Sequence, residues 1–331
     1  MYTLFIAKRE TGGELVKKKH ILRGVFTMKK FTALFAALTL MLSLAACGGS
    51  TSSSAAASAP ASTPASTAAS TPASSEEDDG IAMTAGNVEE HGLEAIKAKG
   101  KLVVTTEAGY APFEFLDEND NVIGLDASLA QALADDLGVE LDMQNIAFDS
   151  VVAEVQAGNA DMAIAGLTPN NDRKKSVDMS DMYYEGGQCM LVLAENVDKY
   201  ATKESFDGET MATQKAALQE GLMAEQFPNA TPLLLPDFPQ CVQNLKNGEC
   251  AAVLIDAISA EQYMKTVDGL AVGKVPVEID PEEGGNAVAV MKGNTELLDW
   301  VNEKIAEYKE AGKLEAWFQE AKEKAESMGI E

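Results

Sequence analysis

Ala127-Ser128-Leu129-Ala130-Gln131-Ala132-Leu133-Ala134-Asp135-Asp136-Leu137-Gly138-Val139-Glu140-Leu141-Asp142-Met143 is the stretch that decides the fold class. Leu129, Leu133 and Leu137 recur every fourth residue and share one helix face, Gly138 stops the helix, and 139–143 continues as a strand. Upstream, residues 101–106 form a β-branched run that reads as a strand. Downstream, residues 150–157 read as a helix carrying Val151, Val152 and Val155, and 161–165 as another strand. The order βαβαβ predicts a mostly parallel sheet with helices on its faces. After a strand at 188–193 the pattern restarts: strand 209–213, helix 218–226, strand 232–235, helix 238–246 and strand 251–255. Two α/β halves stand in series. A strand at 287–291 and a long helix from Thr295 close the chain, with Leu298, Val301, Ile305 and Tyr308 as one stripe ahead of Gly312. Trp317 and Phe318 are expected to clamp onto the first half. A helix that packs back there makes the second half an insertion reached by two hinge strands.

The N-terminus specifies a compartment. Met28-Lys29-Lys30, an apolar run over 31–46 and the small residues before Cys47 have the three regions of a secretory signal. The run falls short of the ~20 residues of a spanning helix. Leu44-Ala45-Ala46-Cys47 resembles the lipobox of bacterial lipoproteins, which implies a diacylated Cys47 as membrane anchor. Residues 1–27 precede a better start at Met28 and read either as an extended n-region or as sequence upstream of the true start. Every residue from 50 to 75 is Ser, Thr, Ala or Pro, and Glu76-Glu77-Asp78-Asp79 follows, a composition that cannot offset chain entropy by burial. A tether of about 40 such residues reaches roughly 35 Å. The organisation expected is a signal region at 1–46, a lipidated tether at 47–88, a first lobe at 89–185, a second at 186–281, and a return to the first at 282–331.

Charge and rare residues exclude much chemistry. The chain has 26 Lys and Arg against 52 Asp and Glu. Eight of the basic and two of the acidic residues lie in 1–46, so the remainder carries 18 against 50, a net charge near −32. Nucleic acid is therefore excluded as a partner, and such a charge favours a soluble monomer. Beyond residue 46 only His91 remains, so histidine-dependent nucleophilic catalysis would rest on one residue at a domain edge. Cys189, Cys241 and Cys250 lack the paired spacing of a metal site and read as small core residues, with a Cys241–Cys250 bridge as an open alternative. Residues 117–121 imitate a calcium loop, but Val122 stands where the loop needs glycine, and a hairpin turn explains the run better. No metal or cofactor is expected.

In open α/β sheets ligands sit beyond the carboxyl ends of strands. The residues at those ends are Glu107 and Tyr110, Phe148, Ala165 to Arg173, Gln214 to Leu218, and Asp256. An arginine taken alone mostly faces solvent. Here Arg173 follows Ala165-Gly166-Leu167-Thr168-Pro169-Asn170, where a hydroxyl, a helix N-terminus and a guanidinium can converge on one carboxylate. Asp256 and Glu107 supply negative potential for an ammonium, and Tyr110 and Phe148 supply flat walls. A zwitterion suits this set.

Residues 101–115, 165–175 and 182–186 resemble, in order and spacing, the bacterial extracellular solute-binding proteins of family 3, which serve polar amino acid ABC transporters. The resemblance runs from about 100 to 320. It implies a two-lobed periplasmic-binding-protein fold of type II that closes about a hinge, a binding protein rather than an enzyme, and a membrane permease as partner. It also implies that Arg173, Thr168 and the Ala165 and Gly166 backbone grip the ligand carboxylate, and that Asp256 holds the ammonium. Tyr110 and Phe148 would sandwich the ligand, Glu107 would meet its side chain, and Gln214, Ala217 and Leu218 would complete the second lobe. One segment departs: where relatives carry Gly-Thr-Thr or Gly-Ser-Leu, this chain has Ala216-Ala217-Leu218, so Ala217 offers only its backbone. Two other readings keep the scaffold: a dehydratase acting on prephenate-like acids with Glu107 as general acid, and a sensor domain.

Overall fold

The computed structural model describes residues 85–329. The expected signal region, Cys47 and the tether up to residue 84 lie outside the described residues. Lobe 1 runs through α1 (Ala85–Glu90), α2 (Leu93–Lys99), β1 (Lys101–Thr106), β2 (Gly109–Tyr110), β3 (Glu114–Leu116), β4 (Val122–Ile123) and α3 (Leu125–Leu137). It continues with β5 (Glu140–Asn145), α4 (Phe148–Ala157), β6 (Met162–Ala163), α5 (Arg173–Ser176) and β7 (Val177–Met179). Gly138 ends α3 at φ 71, donating to the Ala134 and Asp135 carbonyls. Alternation along β1 covers both faces of its sheet. Leu102 and Val104 join Leu129, Leu133 and Leu137 of α3 in one cluster, while Val103 packs with Val151 and Val155 of α4 on the other face.

The chain crosses through β8 (Tyr184–Glu185) to lobe 2: β9 (Gln188–Leu193), β10 (Thr210–Gln214), α6 (Leu218–Gln226), β11 (Thr231–Leu235), α7 (Phe238–Lys246), β12 (Ala252–Asp256), α8 (Ala257–Thr266) and β13 (Leu270–Val272). It returns through β14 (Gly285–Asn286), β15 (Ala289–Met291), α9 (Thr295–Glu310) and α10 (Lys313–Met328). β8 and β14 pair antiparallel, as two crossing strands side by side. Val301, Ile305 and Tyr308 of α9 and Phe318 of α10 are buried in the lobe 1 cluster with Trp317 against it, so the closing helices do pack back.

The sheet orders are β5-β1-β6-β15-β7 and β11-β10-β12-β9-β13. β1 runs parallel to β5 and β6, and β10 parallel to β11 and β12. β15 is antiparallel to β6 and β7, and β9 to β12 and β13. The expectation of mostly parallel sheets is thus corrected. The strands that carry the chain between lobes enter each sheet from the opposite end, so half of the pairings are antiparallel. Asp117 explains its acidic run: its Oδ1 accepts from the Asn119 and Asn121 N–H groups at 2.8 and 2.9 Å, closing the turn between β3 and β4.

Candidate functional site

Arg173 opens α5, which is one turn long. Its N–H donates to Asn170 Oδ1 at 2.9 Å, so the expected helix N-terminus does not present free donors. The side chain supplies the positive charge instead. Nη1 donates to the Thr168 carbonyl at 3.0 Å, Nη2 donates across the cleft to the Ala216 carbonyl at 3.1 Å, and the guanidinium lies 5.5 Å from the centre of the Phe148 ring. Among the described residues no carboxylate forms an ion pair with Arg173. Burial lowers its pKa to about 10, partly opposed by the field of Glu283. A guanidinium held only by carbonyls and a ring keeps capacity for a bidentate anion.

Negative groups occupy the rest of the cleft. Asp256 ends β12 and is buried; its Oδ1 accepts from the Ile258 and Ser259 N–H groups at 3.0 and 2.9 Å and caps α8. Its other oxygen accepts from the Tyr110 hydroxyl. Burial raises the Asp256 pKa, against the hydrogen bonds that lower it. Glu107 Oε2 accepts from Gln214 Nε2 at 3.0 Å across the cleft. Burial pushes the Glu107 carboxyl up to about 7, Gln214 pulls it down, and Asp237 adds to the rise. A buried guanidinium and buried carboxyls therefore line one cleft and its adjoining recess. The sequence profile of the bacterial extracellular solute-binding proteins, family 3, matches residues 102–321. The chain belongs to this family.

Relatives within it are named for amino acids. An arginine-binding extracellular protein of Bacillus subtilis (strain 168), ArtP, is 33% identical over 245 residues, covering 72% of this chain and 93% of that one. The L-cystine-binding protein TcyJ of Escherichia coli (strain K12) is 30% identical, covering 72% and 92%. The crystal structure of an amino acid ABC transporter substrate-binding protein from Streptococcus pneumoniae, bound to L-arginine, aligns at a TM-score of 0.67 and 37% identity, covering 70% and 97%. These relatives are binding proteins, and the family is extracellular by description.

Ten of the residues read from the sequence line one cleft in this solute-binding chain: Glu107, Tyr110, Phe148, Ala165, Gly166, Thr168, Arg173, Gln214, Ala217 and Leu218. Asp256 lines an adjoining recess that shares Tyr110 and Thr168. Several contacts differ from expectation. The Gly166 N–H donates to Asp126 Oδ2 at 2.8 Å, so it is engaged within lobe 1. Gly166 stands at φ 56, and a Cβ there would come 2.6 Å from the Tyr110 ring. Tyr110 stacks with Phe113 and Phe238 at 5.0 and 5.3 Å, and Phe148 lies under Arg173. The Ala217 N–H donates to the Gln214 carbonyl at 3.3 Å, so the donors of this segment are the first N–H groups of α6, which have no partner within the helix. Ala216 stands at φ 63, a conformation that suits glycine.

Glu114, Gln188, Gln219, Phe238 and Asn286 also line the cleft and were missed. Glu114, a charge between two buried phenylalanines, was the one legible signal. Gln188 and Asn286 lie at the interlobe crossings, which only the tertiary fold brings to the cleft. His91 lies elsewhere: it is buried, its Nδ1 is 2.7 Å from Asp161 Oδ1, and Lys99 and the Val103 N–H also bind that carboxylate. Cys189, Cys241 and Cys250 are free thiols, so Cys241 and Cys250 are not bridged. Among the described residues no group of three or more His, Cys, Asp or Glu could hold a metal, and no helix is long and apolar enough to cross a membrane.

Proposed function

We propose that this chain is the solute-binding component of an ABC importer and captures a polar amino acid between its lobes for delivery to a membrane permease. The observation that carries the reading is Arg173, a guanidinium without a carboxylate partner among the described residues, in a closed cleft that adjoins the recess of Asp256. The ligand carboxylate takes Arg173 with Thr168 and the α6 N-terminus, and the ammonium takes Asp256 in place of the Tyr110 hydroxyl. The side chain runs toward Glu107 and Glu114, two acids that favour a cation such as that of arginine. Two charge-assisted anchors can supply the −8 kcal/mol or so of micromolar binding after ordering costs.

Arg173–Ala216, Gln214–Glu107 and an ion pair of 2.9 Å between Lys215 and Asp149 join the lobes. The cavity between them is about 20 Å³, room for about one water molecule, so an amino acid enters only as the lobes part. A ligand that bridges both lobes then favours closure by its differential contacts. Lipidation at Cys47 would hold the lobes at the outer face of the membrane. A thermal-shift screen of the common amino acids tests the function, with calorimetry on Arg173→Ala to test the carboxylate grip. The variant is expected to lose at least 100-fold in affinity for whichever amino acid stabilises the native chain. Unchanged affinity would assign the carboxylate elsewhere.

A further inference from the structure

Beneath the cleft two carboxyls meet. Glu114 of β3 and Asp126 of α3, 1% and 0% exposed, converge on Gly166: Asp126 accepts from its N–H, and Glu114 Oε1 lies 3.6 Å from where a Cβ on that glycine would stand. Asp126 Oδ2 accepts from the Gly166 N–H and the Tyr183 hydroxyl, both at 2.8 Å. No donor reaches Asp126 Oδ1 or Glu114 Oε2. Two carboxylates in contact away from water cannot both stay charged. One proton between them makes a donor and an acceptor and satisfies both orphaned oxygens. Burial raises both carboxyls, and the Asp126 field raises Glu114 further. The titratable groups facing Glu114 are Asp126, Glu107, Asp256, Tyr110 and Tyr183, and the cation that lines the same cleft, Arg173, is held by the Thr168 and Ala216 carbonyls. Glu114 also lines the cleft, as does Asn286, whose Nδ2 is buried without an acceptor.

We propose that Glu114 and Asp126 share one proton under the cleft and release it when the cleft captures an amino acid with a cationic side chain. This rests on the amino acid reading above. In the free protein the Glu114 O–H donates to Asp126. The arriving cation pairs with Glu114, the O–H bond breaks, the proton passes to buffer, and the positive charge of the ligand replaces that of the lost proton, so the site keeps its net charge of −1. A neutral side chain brings no such charge and leaves the proton in place. Affinity for the cation therefore rises with pH, and affinity for a neutral amino acid does not.

Calorimetry of L-arginine and L-glutamine at about pH 8, in two buffers of different ionisation enthalpy, counts the protons, because Glu107 is then mostly ionised. Arginine is expected to release protons from the native chain but not from Glu114→Gln, whose amide can donate to Asp126 permanently. Glutamine, where it binds, should release none. Equal release from the native chain and Glu114→Gln, or none from the native chain when arginine binds, overturns the proposal. Carbon-13 NMR of the ligand-free protein reads the proton independently, with the Glu114 carboxyl expected to stay protonated through neutrality. A carboxyl titrating near 4.5 overturns the shared proton whatever binds. Absence of binding heat for every amino acid, with Glu114 protonated, overturns the proposed function and the ligand-linked release while leaving the shared proton standing.

Discussion

Asp256 serves two roles that one substitution separates. It caps α8 and carries the negative charge of the recess. Asparagine caps a helix as well as aspartate does, so Asp256→Asn is expected to keep the fold and lose the charge. A lost charged hydrogen bond is worth about 1.5–3 kcal/mol, so affinity should fall by roughly 10- to 150-fold and the ligand-induced rise in melting temperature should shrink or vanish. Persistence of the full rise would place the ammonium elsewhere. Ala216 poses the opposite case, a side chain in a backbone conformation that disfavours it. The left-handed region costs a non-glycine residue about 1–2 kcal/mol, and glycine loses about 0.5–1 in chain entropy. Ala216→Gly should therefore stabilise the chain by about 0.5–1 kcal/mol in a urea titration. The substitution was visible in the sequence as a departure from the family pattern; its strain was not, because the sign of φ depends on the turn that carries the Ala216 carbonyl to Arg173.

Elements were legible where periodicity was strong. The strand at 101–106 and the helix at 218–226 agree with the structure to the residue, and the helix read at 127–137 starts two residues earlier, at Leu125. Leu133 of α3 is fully buried in the lobe 1 core and does not line the cleft. Leu133→Ala should cost about 2–5 kcal/mol, read from a urea midpoint, with ligand affinity nearly unchanged. Short elements were not legible in the same way. The paired strand read at 161–165 shrinks to Met162–Ala163, and α5 is a single turn, because these residues are placed by contacts with Asp126, Asn170 and the other lobe rather than by their own pattern. Strand direction was hidden too, since it follows from where the chain enters a sheet.

For the whole molecule, buried acids set the response to pH. Glu107 rises from 4.5 to about 7 and Asp126 from 3.8 to about 6, both chiefly by burial. A carboxyl whose folded pKa lies above its unfolded value contributes fully below the unfolded value, and that contribution is lost as pH rises through the folded one. Ligand-free protein is therefore expected to melt at a lower temperature at about pH 8 than at about pH 5, with a smaller fall in Glu107→Gln. Asp161 acts in the other direction. Burial opposes it, but bonds from His91 and Lys99 hold its pKa down, so its contribution is lost only in acid, below that window. A cationic ligand should flatten the slope by pairing with the acids. The sequence by itself determined two α/β halves in series, a helical return to the first, and nearly all the residues that line the cleft, because hydrophobic period and strand-end position are local properties. Only the tertiary structure decided which groups are engaged: the Gly166 donor taken by Asp126, the Tyr110 hydroxyl on Asp256, and Arg173 left among carbonyls. Hydrogen-bond partners are shared out in space among groups up to about 150 residues apart, and no pattern along the chain records that competition.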